Sequence, residues 1–320
     1  MNASQSMAGK LIVLVLFAVG FGVVLVTLSA RETKGTAFHS HMYGTPHTIE
    51  KKYTVQPGGL LSVDADEGDV TITGSEGTEA EITVTMRGDA ERLDNYHVDI
   101  NQDGNTIKIE GKEDRNFFHH WNGSNMEVHF DIKLPKKFDL DLQTAGGDIT
   151  LNDMNGKLDG KTSGGDLELT GISGTVDMRT SGGNVKVHNG DGDLTLRTSG
   201  GNIRGDKVTG IFDVETSGGN IDLMNVDAKL NASTSGGEIE VELVSNKGVS
   251  LSTSGGNVRV RMEKSLAADI EAETYGGDVN CDLEYSGKIK DGSMNGKLNG
   301  GGALIRAKTS GGDITFTSKF

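Results

Sequence analysis

Apolar residues between positions 144 and 320 fall at fixed distances from a recurring tetrapeptide, Thr-x-Gly-Gly, which starts at Thr144, Thr162, Thr180, Thr198, Thr216, Thr234, Thr253, Thr274 and Thr309. The first six are 18 residues apart, and the later gaps are 19, 21 and 35. With each Thr as zero, position +5 reads Ile149, Leu167, Val185, Ile203, Ile221, Ile239, Val258, Val279 and Ile314. Position +7 reads Leu151, Leu169, Val187, Gly205, Leu223, Val241, Val260, Cys281 and Phe316. A second pair of columns stands at +14 (Leu158, Val176, Leu194, Phe212, Leu230) and +16 (Met178, Leu196, Val214, Ala232). A fifth lies at +10 (Met154, Ile172, Val208, Val226, Val244). Apolar residues two apart, with polar ones between, are the mark of strands with one buried face. The common helical repeats need about 33 residues or more. A shorter period predicts one coil of an all-β parallel β-solenoid, each strand pairing with its equivalent above and below at about 4.8 Å. No coil buries its apolar edge alone, so stability accumulates by stacking.

The polar part of the repeat follows the same geometry. The glycine pairs, among them Gly164-Gly165, Gly182-Gly183 and Gly200-Gly201 after Thr162, Thr180 and Thr198, mark a sharp turn needing positive φ or a close backbone. Gly156, Gly174, Gly192 and Gly210 at +12 mark another corner. Position +4 holds Asp148, Asp166, Asn184, Asn202, Asn220, Glu238, Asn257, Asp278 and Asp313, a ladder of short polar side chains bonding turn backbone. Calcium between adjacent carboxylates is the alternative, but the calcium-binding nonapeptide is absent. Serine recurs at +1 (Ser163, Ser181, Ser199, Ser217, Ser235, Ser254, Ser310). A nucleophile needs one base and one acid converging once, so a residue present in every coil is scaffold.

Residues 51–143 are less regular. Leu61-Val63, Val70-Ile72, Ile82-Val84-Met86, Val98-Ile100 and Ile107-Ile109 alternate as strands. Asp103-Gly104-Asn105 predicts a hairpin, Ala90–Asn95 a short helix, and Ala65-Asp66-Glu67-Gly68-Asp69-Val70 a degenerate copy of the repeat turn. This region is expected to open the solenoid and protect its first edge.

Before it, Leu11–Ala30 carries no charge and is long enough for a ~30 Å hydrocarbon core. It predicts one N-terminal transmembrane helix, an uncleaved signal-anchor, with a cleaved signal peptide as the alternative. The expected organisation is a cytoplasmic stub (1–10), the anchor (11–30), a linker (31–50), the opening β region (51–143) and the repeat solenoid (144–320).

Composition sharpens the function classes. Glycine supplies 47 residues and proline 3, which excludes collagen and Pro/Gly disorder. A net charge of −15 excludes a nucleic-acid partner, whose phosphates need a basic face. The single cysteine, Cys281, excludes a disulfide framework and is expected as a buried thiol. No cofactor is implied. Gly160-Lys161-Thr162 ends like a phosphate-binding loop but lacks its first glycine, with Asn155 in that place, and Lys161 is expected on a strand.

Pattern-breakers are the candidates for recognition. Phe117, Phe118, His119, His120 and Trp121 form a candidate interaction loop, its bland alternative being a flap over the end of the stack. Tyr275 replaces the usual serine and is expected outward. Outward charges such as Glu168, Arg179, Lys186, Arg197, Arg204 and Glu215 read as scattered, with no carboxylate pair at glycosidase spacing. Thr309–Phe320 ends within a coil. Its edge is expected to be masked by residues 261–273 and 284–308, or to dock another copy.

The run Lys133-Leu134-Pro135-Lys136-Lys137 into Phe138-Asp139-Leu140-Asp141-Leu142-Gln143-Thr144-Ala145-Gly146-Gly147-Asp148, and the repeated Thr-Ser-Gly-Gly that follows, resembles the DUF4097 family of adhesin-like β-repeat proteins. The resemblance covers roughly residues 50–320. It implies an exported or membrane-anchored β-solenoid and supplies no catalytic or ligand residues. The expectation is a non-catalytic interaction module, anchored in a membrane with its β-domain periplasmic or at the cell surface, and a protein or glycan as partner. Alternatives are a scaffold polymerising through solenoid ends and a carbohydrate-active enzyme.

Overall fold

The computed structural model describes residues 46–114 and 126–319. The expected membrane span lies outside them, as do Phe117–Trp121. Among the described residues no helix is long and apolar enough to cross a membrane. The fold is all-β apart from the short helix α1, Ala90–Asn95, where the sequence places one.

The opening region contains β1 (His47–Thr54), β2 (Gly59–Ala65), β3 (Asp69–Ser75), β4 (Glu79–Gly88), β5 (Tyr96–Asp103), β6 (Thr106–Glu113) and β7 (Met126–Pro135). The expected linker is therefore too long: residues 47–50 belong to β1, which pairs antiparallel with β4 from His47 onward. The rung formed by β2 and β3 does not lie at the end. On one side it meets β6 and β7 in parallel; on the other it meets β8 (Phe138–Thr144) and β9 (Ile149–Asn152). Antiparallel strands cover the outside, with β5 on β6 and β4 on β7.

Then come β10 (Asn155–Lys161) and four 13-residue strands: β11 (Leu167–Arg179), β12 (Val185–Arg197), β13 (Ile203–Glu215) and β14 (Ile221–Ser233). Each bends through both straight segments of a coil, and the Thr-Ser-Gly-Gly turns separate them. All pair in parallel, one period out of step, so that Leu167 faces Val185, Val185 faces Ile203 and Ile203 faces Ile221.

The remaining strands are β15 (Ile239–Leu243), β16 (Val249–Ser252), β17 (Val258–Met262), β18 (Ala268–Thr274), β19 (Val279–Cys281), β20 (Tyr285–Lys290), β21 (Ser293–Leu298), β22 (Leu304–Thr309) and β23 (Ile314–Ser318). Here stacking order departs from chain order. The coil of β22 and β23 sits between that of β16 and β17 and that of β18 and β19. The strands of this coil are paired on both sides. Of the two expectations for the edge of Thr309–Phe320, masking by residues 261–273 and 284–308 agrees with the structure, since β18 covers β22 and the hairpin β20–β21 that follows covers β18.

The core runs along the stack as continuous rows. The +5, +14 and +16 columns are buried throughout, and +7 is buried except at its last rung, where Cys281 is only partly covered. Val244 is the other departure: it is 50% exposed, and Leu243 takes the inward place opposite Val226. The cause is a register shift between β14 and β15 where the period lengthens by one residue.

Candidate interaction groove

Most of the conspicuous polar residues are committed to holding the coils together. The nine repeat threonines are buried. Thr162 Oγ1 donates to Gly147 O of the neighbouring coil at 2.8 Å and accepts from its own Gly165 N–H at 3.3 Å. Thr180 and Thr198 repeat both bonds with Gly165 and Gly183 as acceptors. Thr309 donates to Gly256 O, and Thr274 to Gly312 O, so the ladder follows the order in space. A buried hydroxyl is tolerated when bonded, and here the residue bonds two coils. Ala65 stands in the threonine column of the degenerate first turn, whose Gly68 O accepts from Thr144.

The Asx column is a second ladder, as expected from the sequence. Asp148 Oδ1 accepts the backbone N–H of Asp166 at 2.7 Å, Asp166 Oδ1 that of Asn184, and Asn184 Oδ1 that of Asn202. Among the described residues no group of three or more His, Cys, Asp or Glu is placed to hold a metal.

The paired glycines differ from expectation. None of Gly164, Gly165, Gly182, Gly183, Gly200 or Gly201 has positive φ. The second of each pair is required by crowding, since a Cβ on Gly165, Gly183 or Gly201 would strike the carbonyl of the coil beside it. The first glycine has no neighbour closer than 3.7 Å to such an atom. Positive φ occurs instead at the expected +12 corner, in Gly174, Gly192 and Gly210, and at +9, in Asp153, Gly171, Asn189, Lys207 and Asn225, a left-handed position the sequence reading missed. Its composition of Asp, Gly and Asn was the available signal.

What remains outside the ladders lies along the edge where each coil enters its turn. Lys161, Arg179 and Arg197, the residues just before three successive threonines, stack in one row. They were not scattered, because the period applies to outward positions too. Beside them run the exposed hydroxyls of Ser163, Ser181, Ser199 and Ser217, and the two rows line an open groove of about 570 Å³. Among the described residues these hydroxyls make no hydrogen bond and Lys161 makes no ion pair. Arg179 Nη2 lies 2.9 Å from Asp177 Oδ2, and Arg197 is more loosely placed, 3.6 Å from Asp177 and 3.5 Å from Glu215. Asp66 and Glu215 add negative charge to the lining.

Tyr275 ends the serine row on the last coil and is 79% exposed, as its place in the repeat predicts. It supports the lowered pKa of Glu273, which follows chiefly from Lys308, whose Nζ donates at 3.1 Å. Tyr275 is far along the stack from the cationic rungs, so the structure does not bring it into the groove. Cys281 donates weakly to Leu283 O, and partial burial pushes its thiol pKa up, away from the reactive thiolate. On the opposite straight segment Glu168 pairs with Lys186, and His188 Nδ1 lies 3.0 Å from Asp206.

Similar solved structures include a candidate adhesin from Bacteroides fragilis NCTC 9343, with 14% identity over 84% of this chain and 97% of that one and a TM-score of 0.40. A candidate lipid-binding protein from Parabacteroides distasonis ATCC 8503 has 19% identity over 85% and 97% and a TM-score of 0.44. A candidate adhesin from the same strain has 11% identity over 85% and 97% and a TM-score of 0.30. No curated protein matches the chain. The Toastrack DUF4097 family profile matches residues 60–317, which span the first rung to the last, and the chain belongs to that family.

Proposed function

We propose that the chain is a membrane-anchored, exported β-solenoid that works as an adhesin-like interaction module, by binding and not by catalysis. The observation that carries this reading is the division of labour among its polar residues. The buried threonines and the Asx column are spent on coil-to-coil bonds, while among the described residues the serine hydroxyls and Lys161 face solvent uncommitted and Arg197 is only loosely paired. The charge-free run Leu11–Ala30 supports the anchor, and the large acidic β-domain behind it supports export. A scaffold polymerising through its ends is less well supported. Both ends finish in antiparallel strands, and the free edge of β20 carries Lys288 and Lys290, the usual protection against strand addition. A carbohydrate-active enzyme has least support, since outward carboxylates such as Glu168, Glu271 and Glu273 are held by cations.

The test is topological. Alkaline carbonate washing of membranes from cells making the full chain is expected to leave it in the pellet. Protease added to cells with an opened outer envelope is expected to reach the β-domain. A chain released by the wash, or shielded until the inner membrane is lysed, contradicts the reading.

A further inference from the structure

We propose that the groove beside the Thr-Ser-Gly-Gly turns binds a linear carboxylated polysaccharide laid along the stack, with Lys161, Arg179 and Arg197 meeting its carboxylates. The proposal rests on the interaction-module reading and names the partner's chemistry. Four observations carry it. The three cations occupy successive rungs, so the row spans two steps of about 4.8 Å. That spacing is close to one pyranose ring per rung, and the groove is open along the stack, which suits a chain more than a small anion. Second, Lys161 is without an ion pair among the described residues, and Arg197 holds Asp177 and Glu215 only at 3.5–3.6 Å. Both are available to a ligand carboxylate, and guanidinium matches carboxylate in bidentate geometry. Third, the parallel row of serine hydroxyls can each donate and accept, as sugar hydroxyls require, and none makes a hydrogen bond among the described residues. Fourth, the lining also holds Asp66 and Glu215 and the chain carries −15, so the local positive charge is too slight for the dense phosphates of a nucleic acid.

The probe is polygalacturonate, titrated calorimetrically into the full chain, with neutral dextran and single-stranded DNA as comparisons. Polygalacturonate is expected to bind, more weakly as salt rises, and the other two to give no signal. The triple variant Lys161→Ser, Arg179→Ser and Arg197→Ser is expected to lose at least about tenfold in affinity. A control triple on the other segment, Lys186→Ser, Arg204→Ser and Arg259→Ser, changes net charge equally and is expected to stay within about twofold. Ser181→Ala with Ser199→Ala leaves every charge in place and is expected to cost about threefold. Absence of polygalacturonate binding, equal losses in the two charge triples, an unaffected groove triple, or equal binding of DNA each overturns the proposal. None of these outcomes bears on anchoring and export, which the membrane experiment tests separately.

Discussion

Gly205 and Phe212 share one piece of the core. Gly205 occupies an inward +7 position that is Leu or Val in neighbouring coils, and a Cβ there would lie 3.2 Å from Cε1 of the Phe212 ring and 2.9 Å from Leu223. Phe212, fully buried, is the one large aromatic in the +14 column of the regular coils and fills the space the glycine leaves. Gly160 with Met178, and Gly190 with Leu194, are built the same way. Gly205→Val is expected to destabilise by about 1–3 kcal/mol through overpacking. Adding Phe212→Leu is expected to recover most of that loss, read as a negative coupling energy in a double-mutant cycle by urea unfolding. Additive losses would show that the two residues do not share the space.

The threonine ladder separates hydroxyl from shape. Thr198 Oγ1 donates to Gly183 O at 2.7 Å and accepts from Gly201 N at 3.2 Å. Thr198→Val keeps the volume but leaves both backbone groups buried without that partner, and is expected to cost about 1–3 kcal/mol. Thr198→Ser keeps the bonds and loses one methyl, about 1 kcal/mol. Equal stability of the valine variant, measured by denaturant unfolding, would remove the ladder from the account.

Stacking order at the C-terminal end makes a residue near the end of the chain behave as central core. Phe316 lies in β23, fully buried, with Val260 on one side and Cys281 on the other. Phe316→Ala is expected to cost about 3–5 kcal/mol. Tyr285→Ala on the exposed edge strand β20 is expected to cost at most about 0.5 kcal/mol. Similar small losses for both would mean that β22 and β23 fray at the tip.

Lys207 holds φ of 56° in the corner where other coils place Asp, Asn or Gly. A lysine gains nothing there to offset the left-handed geometry, so Lys207→Asn is expected to stabilise by about 0.5–1 kcal/mol. The same exchange at Lys229, which has no positive φ, is expected to give no gain. A thermal melt of both variants decides.

The rows of apolar residues, the degenerate turn at Ala65–Asp69 and the hairpin at Gly104 were legible because burial and tight turns act locally on residue type. Asp148 and its column were legible as structural for the same reason. Stacking order was not. Thr309 presents the same columns whichever coil lies beside it, and only the long gap before it signalled a change. That gap holds Asp291-Gly292, both with positive φ, the hairpin turn between β20 and β21. The cationic row was missed because the period was applied to inward positions alone. Applied outward, it aligns Lys161, Arg179 and Arg197 directly.

Disulfide trapping tests the parallel, in-register stacking most directly. In a Cys281→Ser background, Lys186→Cys with Arg204→Cys joins positions that face each other on β12 and β13. Their backbones are about 4.8 Å apart, within the range a disulfide spans. Lys186→Cys with Asp206→Cys sets the pair two residues out of register. The account predicts near-complete oxidation of the first pair and none of the second under mild oxidant. Equal crosslinking of both, or of the second alone, would contradict it.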